Sequence, residues 1–124
     1  MTAARQNMGR QAEDLVARRL AAAGWQLLAR NARTRHGELD IVARDGDALV
    51  FVEVKAGRRD SAYGPERPAL AVDRRKQQRI RRLAAAWLAE HRDAPRCRAV
   101  RFDVVGVTFD GGHPTAIEHI RNAF

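Results

Sequence analysis

From Gly37 to Lys55 the chain alternates apolar and other residues in two β-rich runs on either side of Asp45-Gly46-Asp47, a pattern that predicts a β-hairpin. Successive side chains of a strand point to opposite faces. Glu38, Asp40, Val42 and Arg44 are therefore expected on one face of the first strand, and Leu39, Ile41 and Ala43 on the other. On the second strand Leu49, Phe51, Glu53 and Lys55 share a face, opposite Ala48, Val50, Val52 and Val54. Both faces are largely apolar, as in a sheet buried on both sides. Register depends on the turn: a two-residue turn at Asp45-Gly46 sets Asp40 opposite Phe51 and diagonal to Glu53, and a four-residue loop sets it directly opposite Glu53. A three-residue loop with a bulge would break this count.

Helical periodicity marks two further segments. From about Gly9 to Ala23, residues Ala12, Leu15, Val16, Leu20 and Ala23 fall on one face, Gly24 is a stop signal, and Glu13 sits at the edge of that face. From Val72 to His91, a stripe of Ile80, Leu83, Ala84, Trp87 and Leu88 opposes Arg74, Arg75, Gln78, Arg81 and Arg82. Lys76 lies about 40° to one side of Ile80 and Gln77 about 60° to the other, so both fall on the apolar arc. Trp25 to Asn31 reads as a strand. It leads into a turn-rich segment, Ala32 to Gly37, whose Arg33 and Arg35 precede the hairpin; His36 is a solvated loop residue or a base. Ala56 to Pro68 reads as a mobile, charged loop with Tyr63 available to stack on a base. Arg98 to Phe109 is a further strand, Asp110-Gly111-Gly112 a turn, and Pro114 to Ile120 a short edge strand. The expected architecture is a mixed sheet flanked by two helices.

Composition narrows the class. A chain of 124 residues with 45% hydrophobic content fits one domain, residues 1–124. No apolar run reaches the length of a membrane span, and the N-terminal residues lack the apolar block of a secretory signal. The single cysteine, Cys97, suits a reducing cytoplasm. Net charge is +8, and residues 58–101 hold 13 of the 23 basic and 5 of the 15 acidic residues, which leaves ten of each elsewhere. The whole excess therefore lies in one stretch, as expected of a protein that neutralises a polyanion. An arginine-rich surface serving solubility is the plainer alternative.

Charges inside a buried hairpin need an explanation. Asp40, Glu53 and Lys55 are expected on one face, and two neighbouring carboxylates repel unless a cation lies between them. Mg²⁺ takes oxygen ligands, commonly one or two carboxylates plus water and phosphate oxygens. A lysine beside it could position water or offset charge on a phosphate. The structural alternative, a common one in sheets, is that Glu53 and Lys55 form a half-buried salt bridge and Asp40 caps a neighbouring donor. Likewise Lys76 would meet phosphate and Gln77 a ligand, or Lys76 would reach solvent and Gln77 cap a backbone group. Asp103 is a fallback acid.

Aspartate, a hairpin-length gap and then Glu-x-Lys resembles the active-site pattern of the PD-(D/E)xK nuclease superfamily, the fold of restriction enzymes and archaeal Holliday-junction resolvases. Glu38-Leu39-Asp40 stands where that pattern has Pro-Asp, so the proline is absent. Gly-Arg-Gln-Ala-Glu-Asp-Leu-Val-Ala, Leu-Ala-Arg-Asn-Ala-Arg, Gly-Glu-Leu-Asp-Ile-Val-Ala, Val-Phe-Val-Glu-Val-Lys, Arg-Phe-Asp-Val-Val and Ile-Glu-His-Ile-Arg-Asn-Ala-Phe together resemble the bacterial YraN-like family over nearly the whole chain. The resemblance implies a restriction-endonuclease-like α/β fold, a mixed central sheet flanked by helices. It implies a metal-dependent DNA endonuclease, with Mg²⁺ or Mn²⁺ held by Asp40, Glu53 and the Val54 carbonyl, Glu13 assisting, Lys55 acting in catalysis and Gln77 orienting the ligands. DNA, branched or flapped, would lie on Arg33, Arg35, Arg58, Arg59, Arg74, Arg75, Lys76, Arg81 and Arg82, bound by a monomer or a homodimer. The alternative functions are a non-catalytic nucleic-acid-binding module and an assembly partner in DNA repair, recombination or uptake.

Overall fold

The computed structural model describes residues 3–59 and 67–124. Along the chain these form α1 (Ala3–Ala22), β1 (Gln26–Thr34), β2 (Gly37–Asp45), β3 (Ala48–Arg58), a 3₁₀ turn (Pro68–Ala71), α2 (Arg74–Glu90), β4 (Ala99–Asp110) and β5 (His113–Ile120). The five strands make one sheet in the order β1-β2-β3-β4-β5. Only β3 and β4 pair in parallel, and the other three pairings are antiparallel. The crossover between β3 and β4 carries α2, as a parallel connection requires.

The two helices cover opposite faces of the sheet. Ala12, Val16, Ala17 and Leu20 of α1 pack on Ile41, Ala43, Val50, Val52, Val54, Val105, Val107 and Phe109. Ile80, Leu83, Ala84 and Trp87 of α2 pack on Leu39, Val42, Leu49, Phe51, Phe102 and Val104. Phe51 is central to the second core, stacked on Phe102 at 5.6 Å and edge-on to Trp87 at 6.0 Å. Burying each such side chain contributes roughly 1.5–3 kcal/mol, so the doubly apolar hairpin anchors both layers.

Helix ends explain why the elements stop where they do. At the end of α1, Gly24 takes φ +92°. Trp25 N–H reaches Leu20 O and Gly24 N–H reaches Ala21 O, both at 3.0 Å, the paired bonds of a Schellman cap, with Trp25 and Leu20 in the same apolar cluster. Asp73 caps α2, accepting from Lys76 N–H at 2.9 Å, an interaction typically worth about 1 kcal/mol. The 3₁₀ turn before it lies so close on β4 that a Cβ at Gly106 would stand 2.6 Å from Ala69 N. Only glycine fits there.

Several boundaries differ from the sequence reading. β1 runs past Asn31 to Thr34, so the turn-rich segment shrinks to Arg35-His36. Ala56 to Arg58, expected in a loop, extend β3 because their backbone pairs with Val107, Thr108 and Phe109 of β4. Residues 60–66, including Tyr63, lie outside the described residues.

Asp103 is not a spare site acid. It is fully buried, and both of its oxygens are occupied. Oδ1 accepts from Arg101 Nε at 2.9 Å and Asn122 N–H at 3.0 Å. Oδ2 accepts from Arg101 Nη2 at 3.0 Å and His119 Nε2 at 2.8 Å. Burial alone would push this carboxyl up, but His119, Arg101 and the Asn122 N–H outweigh it and hold it down to about 2. Arg101 also bonds Asp45 at 3.0 Å and lies over the Trp25 ring at 5.3 Å. The network therefore clamps β4 to β5, to the β2 hairpin end and to the cap of α1.

Candidate active site

The hairpin fixes the first two acids. Its two-residue turn is Gly46-Asp47, with Gly46 at φ +56°, one residue later than Asp45-Gly46. Pairing then runs from Asp45↔Ala48 to Ile41↔Val52, and the same register sets Asp40 opposite Glu53. This is the juxtaposition expected of a four-residue loop, reached with a tighter turn.

At Asp40 the regular ladder ends. Its Oδ2 accepts from Val54 N–H at 2.8 Å, so a side chain serves the edge of β3 that a β2 carbonyl would otherwise serve. The strict alternation expected of β2 also breaks here. Ile41 and Ala43 pack on the α1 side, while Leu39 joins Val42 on the α2 side. Across from Asp40 in β1 stands Asn31, between the pairs Arg30↔Ile41 and Ala32↔Leu39, and its φ is +48°. A left-handed residue thus stands opposite the break in alternation, and the register is the same on either side of it, the one shift in this pairing lying between Leu27 and Ala29.

At this break, acids from both layers meet. Val52 and Val54 face α1, so by alternation Glu53 emerges on the α2 side; Glu13 comes from α1, and Asp40 at the break stands beside both. Burial first, then the Asp40 charge, pushes the Glu53 carboxyl up to about 7, against the pull of Lys55. The same two causes in the same order, with a smaller push from Glu38, raise Glu13 to about 7 against the pull of Arg30. Lys55 Nζ lies 3.5 Å from Glu53 Oε1, and the Glu53 side chain is 17% exposed. Both contacts of the structural alternative therefore exist, the Glu53–Lys55 pair and the Asp40 cap. They do not neutralise the cluster, because Glu53 remains raised with its lysine in place.

Proton linkage follows with a definite sign. Two carboxyls raised above their ordinary 4.5 bind protons more tightly in the folded chain, so their contribution to stability is full below pH about 4.5 and is lost as pH rises through about 7. The denaturation midpoint is expected to fall across that window and to fall less with millimolar Mg²⁺ present. A midpoint flat from pH about 4.5 to about 7.5 would show that neither carboxyl is raised in the folded chain.

Among the described residues, no three His, Cys, Asp or Glu side chains form a closed ligand set. A Mg²⁺ site does not need one, since this ion keeps several waters and binds through one or two carboxylates. Asp40, Glu53 and the Val54 carbonyl are all hard oxygen donors, and the mutual repulsion around Asp40 is what a divalent cation relieves. The donor set fits Mg²⁺ or Mn²⁺.

Other expected site residues are placed differently. Gln77 Nε2 donates to Val72 O at 3.2 Å and Lys76 Nζ to Ala71 O at 3.1 Å. Neither hydrogen-bonds to the carboxylates; both serve backbone carbonyls just before α2. Arg33, Arg35, Arg58, Arg59, Arg74, Arg75, Lys76, Arg81 and Arg82 are all exposed. Arg59 lies 3.9 Å from Asp110, and Arg81 is stacked 4.8 Å over Phe102 and 5.5 Å over Phe124. The sequence reading missed Asn31 and Glu38. An open cleft of about 480 Å³ beside Glu13 is lined by Arg10, Asp14, Arg30, Asn31 and Glu38, with Arg30 held on Asp14 at 2.7 Å. The signal for Asn31 was its residue type, since asparagine is enriched at left-handed positions.

A mixed five-stranded sheet between two helices, with acids converging where β2 and β3 part, defines an α/β protein of resolvase-like architecture. The chain belongs to the uncharacterised protein family UPF0102, whose profile matches residues 12–107, a span that includes every acid of the cluster and Lys55. This is the family anticipated as YraN-like. A UPF0102 protein of Frankia casuarinae is 52% identical over 121 residues, 98% of either chain. One from Nocardia farcinica is 48% identical over 120 residues, 97% of this chain and 91% of that one. One from Geobacter metallireducens is 48% identical over 118 residues, 95% of this chain and 92% of that one. Among the described residues no helix is long and apolar enough to cross a membrane.

Proposed function

We propose that the protein is a Mg²⁺- or Mn²⁺-dependent DNA endonuclease that hydrolyses phosphodiesters in branched or flapped DNA, acting as a monomer or as a homodimer making paired cuts. The observation that carries this reading is the acid cluster. Glu13 and Glu53 are both raised to about 7 around Asp40, and Lys55 stands 3.5 Å from Glu53. Perturbed carboxyls with a specific charged partner are candidates for a functional site, and Glu13 opens onto the cleft that Asn31 and Glu38 also line.

Asp40, Glu53 and the Val54 carbonyl would hold the cation, with Glu13 assisting. When bound, the cation supplies the positive charge that polarises the phosphate and acidifies water. Lys55 would hold the attacking water or offset the charge that develops on the phosphate oxygens. Asp40 remains fixed by Val54 N–H, so the ligand is oriented before substrate arrives.

Substrate would be held by the basic stretch. Arg74, Arg75 and Arg82 are exposed on α2 and make no salt bridge among the described residues, whereas Arg81 is committed to two aromatic rings. Replacing Arg74, Arg75 and Arg82 together with alanine is expected to weaken binding to many sequences alike. The slope of log K against log salt should become shallower by roughly one for each phosphate that is no longer neutralised. An unchanged slope would place the DNA on another surface.

The test of the activity is digestion of linear, flapped and four-way DNA with and without Mg²⁺ or Mn²⁺, alongside salt-dependent binding. Metal-dependent cutting of any panel member supports the reading. Salt-sensitive binding without cutting by either metal would replace it with a nucleic-acid-binding module.

A further inference from the structure

Asn31 occupies the level at which β1 and β2 both depart from regular geometry. Its φ is +48°, it faces Asp40 across an interrupted ladder, and β2 breaks its alternation at that residue. A left-handed residue turns its side chain out of the direction a strand residue would take. With its amide nitrogen facing the acids, Asn31 lies 3.1 Å from Glu13 Oε2 and 3.2 Å from Glu38 Oε1. Each of these carboxyl oxygens can accept, so the amide nitrogen, with its two hydrogens, is the end that can satisfy both. One neutral group thus bridges two carboxylates, one on α1 and one on β2.

We infer that Asn31 is a positioning residue that holds Glu13 toward Asp40 by donating to Glu13 and Glu38 together, and that its left-handed backbone exists to aim that amide. The inference rests on the nuclease reading of the Asp40 cluster. A side chain that orients a ligand through a hydrogen bond without touching the ion commonly changes metal affinity by roughly 10- to 100-fold. Asn31 has the required features: two donor hydrogens for two carboxylates, a fixed backbone, and a place beside the open cleft rather than in either core. Glu38, exposed on β2, acts as the second anchor of the amide. Arg30, one residue earlier, hydrogen-bonds Asp14 and acts on Glu13 through its charge, which leaves the Asn31 amide as the donor to Glu13.

Glycine at position 31 separates backbone from side chain, because it adopts positive φ without cost yet has no amide to donate. Asn31→Gly is expected to keep the parental unfolding midpoint and the parental DNA affinity without metal. Its Mn²⁺ affinity, measured by calorimetric titration, should fall roughly 10-fold or more, with a matching fall in single-turnover cleavage at saturating DNA. Asn31→Ala should show the same loss and in addition melt lower, since alanine resists positive φ. A merely structural asparagine would move the melting point and not the Mn²⁺ affinity. Parental Mn²⁺ affinity in Asn31→Gly would overturn this inference alone. Absence of Mn²⁺ binding by the parent would overturn the nuclease reading, and this inference with it.

Discussion

Replacing Asp40 with asparagine is expected to abolish metal-dependent cleavage, a loss on the order of 10³-fold or more, comparable with removing a group that stabilises transition-state charge. DNA affinity should stay unchanged or tighten. The substitution is close to isosteric, and the asparagine carbonyl can still accept from Val54 N–H, the bond that ends the β2–β3 ladder. The fold is thereby spared. What disappears is the charge beside Glu13 and Glu53 that, after burial, does most to raise both carboxyls. Both should relax toward ordinary values, and the fall in stability between pH about 4.5 and about 7 should flatten in the same variant. Removing a negative charge from the surface proposed to face phosphate would not weaken binding. A variant that cuts DNA as fast as the parent would sink the enzymatic reading outright.

Asp103→Ala should have the largest effect on stability. The aspartate is fully buried and is the common acceptor for Arg101, His119 and Asn122 N–H. Breaking a buried ion pair from one side typically costs about 3–5 kcal/mol, because the partner's charge stays behind. For a domain of this size that is a drop on the order of 10 °C or more in melting temperature. Of its carboxylate partners Arg101 would keep Asp45. The pH dependence has the opposite sign to that of the acid cluster. A carboxyl held down to about 2 from 3.8 contributes stability above pH about 4 and loses it as pH falls through about 2. For these three carboxyls alone, the two contributions overlap at full strength only near pH about 4–4.5. Chemical denaturation of parent and variant across that range tests both, and equal midpoints at neutral pH would show that the buried network contributes nothing.

Most of the fold was legible because its hydrophobic pattern is simple. Two apolar faces on the hairpin require a layer on each side, and α1 and α2 carry the matching stripes. Boundaries failed where local signals misled. Asn31 reads as a strand end, yet β1 continues through it because Leu39 and Ile41 on β2 still offer pairing partners on either side. The acid cluster was legible as residue types but not as a shape. Alternation presumes an unbroken pleat, and the break at Asp40 that brings Glu13 within reach depends on a partner in the preceding strand, Asn31. Gln77 and Lys76 show the reverse case, with Gln77 on a backbone carbonyl as its structural alternative had it. Helical periodicity placed them on the inner arc, but it could not show that Ala71 and Val72, just before the helix, expose carbonyls that need donors. Periodicity locates a side chain; the local backbone chooses its partner.

The bond from Val54 N–H to Asp40 gives the protein a built-in spectroscopic reporter. Its neighbours in β3 are protected by ladder partners, whereas this single amide proton is sheltered by a side chain that belongs to the candidate cation site. Its chemical shift and its rate of exchange with deuterium depend on where that carboxylate rests. Any ion, inhibitor or DNA phosphate that draws Asp40 away would register there first, in the resonance of one backbone amide, without a label and without turnover.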